Sequence, residues 1–220
     1  TGASNVAVGK DSLVNNTTAS NNTAVGKDAL KANTTGTQNT AIGSLAGDAI
    51  TTADENVTVG FNSLTTNTKS FYNVAVGNSV LAAHNLTSDA AGYNTGIGHN
   101  AGAAVTTAVQ NTLIGALAGD AITTGSFNVA TGFGALGAAT TAVQNAAFGR
   151  LSLEDNTTGA NNTAIGNHSL GSNTTAANNT GVGYFALGAN TTGTSNVAVG
   201  CNALDANTTA TGNNAVGHNA

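Results

Sequence analysis

Residues 21–38 read NNTAVGKDALKANTTGTQ, and the pattern of this stretch recurs along the chain. Its most regular part is Asn-x-small-aliphatic-Gly, here residues 22–26, and positions within a repeat are counted from this final residue, the coil glycine. The coil glycine stands at 9, 26, 43, 60, 77, 98, 115, 132, 149, 166, 183, 200 and 217. Every interval is 17 residues except the 21 residues from Gly77 to Gly98. A short, fixed period of this kind predicts a solenoid of stacked coils.

The composition excludes several classes of protein. Only 7% of the 220 residues are charged and Pro is absent, which is unlike a disordered chain. Five scattered basic residues and a net charge of −5 give no basic stripe, so no nucleic-acid partner is expected. No apolar run approaches the roughly 18 residues of a membrane span, so no membrane insertion by this segment is expected. A single Cys excludes a disulfide framework within the chain.

Alternation before the coil glycine predicts a β-strand. Position −3 is Val or Thr in eleven of the thirteen repeats, position −2 is usually small, and position −1 is almost always β-branched, a period of two. Leu at position +4 predicts a second short strand. The predicted fold is all-β, a parallel β-roll of about thirteen 17-residue coils. It forms one array over residues 1–220 that begins and ends within a repeat, with a four-residue insertion near 84–89.

Equivalent residues of successive coils stack into columns, and each column is expected to have its own structural role. Val or Ile at position −1 and Leu at position +4 are expected to fill the coil. The small residues at position −2, such as Ala24 and Ala41, are expected to form a flat outer surface that meets other chains. Three repeats lack the Leu and carry an aliphatic residue three positions later, so apolar volume is expected to move along the coil. The pairs are Gly47 with Ile50, Gly102 with Val105, and Gly119 with Ile122.

Asn occupies position −4 in every repeat, and a column of stacked amides predicts a structural ladder of hydrogen bonds. Its members are Asn5, Asn22, Asn39, Asn56, Asn73, Asn94, Asn111, Asn128, Asn145, Asn162, Asn179, Asn196 and Asn213. The glycine that follows suits a corner with positive φ or a close backbone approach.

Asn-x-Thr sequons recur in the segment expected to form an outer turn, where glycosylation is geometrically possible. The candidate residues are Asn16, Asn33, Asn85, Asn156, Asn173, Asn190 and Asn207. Turn chemistry and laddering explain the same residues without modification.

The units NNTAVGKDALKANTTGTQ, NNTAIGNHSLGSNTTAAN and NVAVGCNALDANTT resemble the head repeats of trimeric autotransporter adhesins, the YadA-like β-roll. They are more similar still to the long-repeat form in phage and bacterial tail-fibre proteins. The resemblance covers essentially the whole chain. It implies a left-handed parallel β-roll, three chains around one axis, and an extracellular role in attachment. The chain departs from the adhesin heads in its 17-residue coils, which are longer.

The sequence offers no convergent chemistry, and no catalytic residue, metal site or cofactor is expected. The four His do not cluster, and the acidic pairs at 54–55 and 154–155 are expected to be solvated turn residues. The variable position +1 is expected to face solvent, and its aromatic residues could stack on sugars. They are Phe61, Phe133 and Tyr184.

These observations predict a structural segment of an extracellular fibre or adhesin, not an enzyme. It would be a rigid spacer that contributes to surface attachment, with itself as partner in a homotrimer and surface glycans or a host-cell receptor as possible ligands. One alternative is an ice-binding solenoid that uses stacked Thr at position +8, such as Thr17, Thr34 and Thr51. The adjacent Thr at position +9 should point away on an extended strand, which disfavours this alternative. Another alternative is a glycan-coated extracellular fibril subunit.

Overall fold

The computed structural model describes residues 2–220 and shows an all-β chain in two compact units, Thr1–Gln110 and Asn111–Ala220. Unit 1 contains β1 (Val6–Val8), β2 (Thr23–Val25), β3 (Thr40–Ile42), β4 (Val57–Val59), β5 (Ser70–Phe71), β6 (Val74–Val76), β7 (Ala90–Ala91) and β8 (Thr95–Ile97). Unit 2 contains β9 (Thr112–Ile114), β10 (Val129–Thr131), β11 (Ala146–Phe148), β12 (Thr163–Ile165), β13 (Thr180–Val182), β14 (Val197–Val199) and β15 (Asn214–Val216). Among the described residues, no helix is long and apolar enough to span a membrane.

Each unit is a parallel β-solenoid. In unit 1 the strand order is β1-β2-β3-β4-β6-β8, with β5 paired to β7, and in unit 2 the strands follow chain order. Equivalent residues pair one repeat apart, so Ala24 lies opposite Ala41. The register survives the longer interval, because Val74 of β6 pairs with Thr95 of β8. The predicted fold class is confirmed at the level of a parallel β-solenoid, and the single array over residues 1–220 stays a prediction.

The predicted assignment of the strand faces is wrong. The small residues at position −2 point into the coil, and Ala24, Ala41 and Ala164 are fully buried. The aliphatic residues at position −1 point outward, with Ile42 42% and Ile165 43% exposed. A three-residue strand sends only its middle side chain inward, and period two alone does not say which face is inside. The interior is narrow and already contains the Leu and Asn columns, so a small side chain usually lies beneath the strand. Leu113 is the exception, and it is buried next to Gly119, which replaces the usual Leu at position +4.

The predicted second strand around Leu is also absent from the described residues. Leu30, Leu64 and Leu187 lie in turns with φ of 48°, 49° and 53°, in the left-handed region. Their side chains are fully buried and supply the largest apolar groups of the core. The backbone of Leu30 still contributes to the stack, since its N–H donates to the carbonyl of Ala46 in the next coil at 3.1 Å. The Leu column therefore fills the coil, as predicted, but from a turn.

The coil glycine satisfies both conditions predicted for it. Gly26 has φ of +139°, and a Cβ placed on it would lie 2.4 Å from the carbonyl oxygen of Gly43 in the next coil. No other residue avoids both the conformational strain and the backbone collision. This corner turns the chain out of the strand and brings successive coils into contact.

The predicted exchange of volume between positions +4 and +7 is confirmed. Ile50, Val105 and Ile122 are fully buried. A Cβ on Gly47 would lie 2.9 Å from Cδ1 of Ile50, so the glycine makes room for the isoleucine. The apolar volume of the core is therefore kept, but it is supplied by a side chain three residues further along the chain.

Candidate functional site

The Asn column at position −4 joins each coil to the next through both atoms of its amide. In unit 1, Oδ1 of Asn22 accepts the backbone N–H of Asn39 at 2.9 Å, and its Nδ2 donates to the carbonyl of Gly36 at 2.9 Å. In unit 2, Asn162 does the same with Asn179 and with Ala176. These side chains are buried, so the bonds satisfy backbone groups that water does not reach. The ladder's role is structural.

A second Asn column lies inside the coil at position +7, and it consists mainly of the sequon residues. Asn33, Asn156, Asn173 and Asn190 are fully buried. Nδ2 of Asn173 donates to Oδ1 of Asn156 at 2.9 Å, and Nδ2 of Asn190 donates to Oδ1 of Asn173 at 3.1 Å. The predicted location of these four residues on an outer turn is therefore wrong, because their amides are hydrogen-bonded within the core.

The three other sequon residues are half-buried and also hydrogen-bonded. Asn16 donates to the carbonyl of Ala19, and Asn207 donates to Oδ1 of Asn190 at 3.0 Å. Asn85 accepts from the Thr68 hydroxyl at 2.9 Å. All the sequon residues except Asn85 stand seven residues after a coil glycine. This common offset was the signal in the sequence that they form a second ladder.

The Thr hydroxyl groups at position +8 form hydrogen bonds within the chain, from one coil to the next. The hydroxyl of Thr34 donates to the carbonyl of Thr51 at 3.1 Å, and that of Thr157 donates to the carbonyl of Thr174 at 3.0 Å. The hydroxyls are thus engaged along the stack. The neighbouring Thr at position +9 is exposed in most coils, for example Thr35 and Thr158, which agrees with the prediction that adjacent Thr point in different directions.

The insertion after Gly77 contains a histidine in the second Asn column. His84 occupies position +7, is fully buried, and its Nε2 lies 3.0 Å from Oγ of Ser70. Burial lowers the pKa of His84 to about 4, opposed by a backbone hydrogen bond with Thr106. Residues 85–89 then form a loop, exposed at 87–89, that leads into β7, the strand paired with β5.

The outward side of each sheet is the most unusual surface of the chain. The side chains at positions −3 and −1 project from it in register, and we call this surface the aliphatic face. Exposed members include Val8, Ile42 and Val57 in unit 1, and Ile114, Phe148, Ile165 and Val199 in unit 2. Neither position carries a charged residue in any repeat. Contiguous apolar surfaces of this kind mark interaction sites.

The acidic, His and Cys residues considered for chemistry in the sequence have the following surroundings in the structure. The Asp54 carboxylate accepts the Thr37 hydroxyl at 2.9 Å, while Glu55 is exposed. His168 lies 3.8 Å from Glu154, and Cys201 is an exposed free thiol. Within residues 2–220, no three His, Cys, Asp or Glu side chains are grouped so as to hold a metal. At position +1, Phe61, Phe133 and Tyr184 are exposed, as predicted.

No family model, curated protein or solved structure matches the chain.

Proposed function

We propose that this chain is a structural segment of an extracellular fibre, in which copies of the chain associate through their aliphatic faces. The observation that supports the proposal most strongly is the exposed, uncharged row of Val and Ile side chains along the sheet of each unit. Burying such a row stabilises an assembly by about 25 cal/mol per Å² of apolar surface.

A second copy of the same chain suits this face better than an unrelated partner does. The face repeats with every coil, so a parallel copy presents the same spacing along its whole length. In a cyclic assembly the same face of every copy can point towards the common axis and contact its neighbours there. The resemblance of the repeats to adhesin heads implies three chains, and we adopt a homotrimer as the assembly.

The interior of the coil suits a load-bearing role. Both Asn columns and the Thr column add side-chain hydrogen bonds between coils to those of the backbone. Each coil is therefore tied to the next at several points around its circumference. A fibre segment needs this resistance to local opening, because isolated loops and frayed ends are where proteolysis starts.

The mass in solution tests this function. Multi-angle light scattering on the purified chain should give three times the chain mass of 21.2 kDa. The associated form should also resist dilution and protease. A well-folded monomer at micromolar concentration would contradict the proposal.

Ice binding is the second candidate, and one observation now favours it on a different surface from the predicted one. Thr at position −3 and Val or Ile at position −1 project from the same side in register, as in Thr23 with Val25 and Thr163 with Ile165. This gives two parallel ranks on a regular sheet. Thermal hysteresis by a monomeric chain would establish this candidate in place of the fibre, whereas a trimer without hysteresis would exclude it.

A further inference from the structure

Two glycines open a cavity in the surface of unit 2. Position +2 is Leu in the coils on either side, Leu117 and Leu151, but Gly134 in the coil between them. Position +5 is acidic in the same two neighbours, but Gly137 in that middle coil. The missing side chains leave a cavity of about 290 Å³. Its volume is close to the lower end of ligand pockets, roughly 300 Å³.

The two glycines contribute differently to this cavity. A Cβ on Gly134 would lie 2.7 Å from Cδ2 of Leu151, so the leucine leans over that backbone. A Cβ on Gly137 would lie 3.2 Å from the Gly134 carbonyl oxygen and 3.8 Å from Oδ1 of Asp120. A side chain therefore fits at Gly137 with a small adjustment, and it would occupy the cavity.

One wall of the cavity is aromatic. Phe133 is 49% exposed, and the guanidinium carbon of Arg150 lies 6.0 Å from the centre of its ring. Arg150 also lies within 3.3 Å of the His168 ring nitrogen. The phenyl ring thus has a cationic neighbour over it and also lines the cavity.

The other wall is acidic. Asp120, Glu154 and Asp155 line the cavity, each from a coil next to that of Gly137. Partial burial raises the pKa of Asp120, while the backbone N–H groups of Asp120 and Ala121 act in the opposite direction. The lining of the cavity therefore combines acidic residues with the apolar residues Leu117, Phe133 and Leu151.

We propose that this cavity binds one neutral hexopyranose unit of a glycan. A pyranose has an apolar C–H face that packs on an aromatic ring, and hydroxyl groups that donate to carboxylates. The same carboxylates repel sialic and uronic acids. The inference deepens the proposed extracellular function and rests on it for the encounter with glycans, but the site is complete within one chain.

Phe61 shows what the glycines add. It occupies the same position +1 in unit 1 and is 52% exposed. Its own coil carries Asn62 at position +2 and Thr65 at position +5. An exposed ring is therefore present in both places, but position +5 carries a side chain, Thr65, in the coil of Phe61 and none in the coil of Phe133. The pair provides a matched control within one protein.

Ligand-observed saturation-transfer NMR on the intact chain tests the proposal, with the methyl glycosides of glucose, galactose, mannose and N-acetylglucosamine as probes. At least one should bind with a Kd of about 1 mM, as expected for a single sugar on an open site. Phe133→Ala should weaken that binding about tenfold, while Phe61→Ala leaves it unchanged.

Filling the cavity gives an independent readout. Thr65 occupies position +5 in the coil of Phe61. Gly137→Thr places the same residue at position +5 in the coil of Phe133 and should abolish sugar binding. Ala103→Thr adds the same side chain at position +5 of unit 1 and should not affect it. Circular dichroism and light scattering on each variant report folding and association separately, so loss of sugar binding is distinguishable from failure of the fibre.

Three results would overturn the site. The first is that none of the four glycosides binds to the folded chain. The second is binding that Phe133→Ala and Gly137→Thr leave unchanged, which would place the sugar elsewhere. Binding of sialic acid in preference to the neutral sugars would also contradict it, because the acidic wall could not then be the recognition surface.

Discussion

Oδ1 of Asn39 accepts the backbone N–H of Asn56 at 3.0 Å, one coil further along the stack. Nδ2 of Asn39 donates to the carbonyl of Ala53 at 2.8 Å in that same coil. A single buried side chain thus satisfies the hydrogen bonding of two backbone groups. The same arrangement recurs along each unit and converts a thin core into a cooperative stack.

Removing one member of this ladder should leave two buried backbone groups unpaired. Asn39→Ala is expected to lower the free energy of unfolding by about 3 kcal/mol. The exposed neighbour provides the control, and Gln38→Ala should change stability by less than about 0.5 kcal/mol. Thermal and denaturant unfolding of both variants would measure the difference, and equal stabilities would mean that the ladder is dispensable.

Adjacent residues of β12 should separate folding from association. Ala164 is buried, so Ala164→Leu is expected to overpack the coil and destabilise it by about 1–3 kcal/mol. Ile165 belongs to the aliphatic face, so Ile165→Asp should keep the fold of the coil but abolish association of chains. Light scattering reports association and circular dichroism reports folding. The reverse pattern would mean that the faces are assigned the wrong way round.

His84 should make unit 1 sensitive to acid. Because its folded pKa is about 4 and its ordinary value is 6.5, the unfolded chain takes up the proton first. Its contribution to stability is complete above pH 6.5 and is lost as pH falls towards 4, with about 2 kcal/mol lost by pH 5.

His84→Asn restores the residue typical of its column and should remove this part of the pH dependence. His99→Asn, at an exposed position, should not. Denaturant midpoints measured between pH 7 and pH 5 provide the comparison. Identical slopes for the wild type and His84→Asn would show that the histidine is not the sensor.

The exchange between positions +4 and +7 should appear as coupling in a double-mutant cycle. Gly47→Leu alone should clash with Ile50, and Ile50→Asn alone should leave a void beside Gly47. The double variant reproduces the Leu and Asn of its neighbours, so a favourable coupling of at least about 1 kcal/mol is expected from unfolding measurements. Additive effects would show that the two positions do not share one volume.

The left-handed residues should respond to substitution by backbone preference alone. Gln144 is exposed with φ of 58°. Gln144→Gly should be neutral or stabilising by up to about 1 kcal/mol, because glycine enters this region without strain. Gln144→Val should be destabilising, since a β-branched residue is disfavoured there. Melting temperatures of the pair measure the effect, and a Val variant as stable as the Gly variant would contradict it.

The sequence by itself determined the period, the parallel stacking and the existence of the ladder at position −4. Identical residues every 17 positions, as with Asn22 and Asn39, can only be satisfied together if they stack. It also determined the transfer of apolar volume from position +4 to position +7 in the coil of Gly47 and Ile50, because the sequence shows the loss of Leu at one position and the gain of Ile at the other. These features follow from spacing along the chain.

The tertiary structure decided which side of each strand is inside. Ala164 and Ile165 alternate in the same way whichever face is buried, and only the crowding of the coil by the Leu and Asn columns puts the smaller residue within. It also placed Leu30 in a left-handed turn and buried Asn173 as a ladder residue instead of exposing it as a sequon. Such outcomes depend on how much space the closed coil leaves, and that space is set by all 17 residues together.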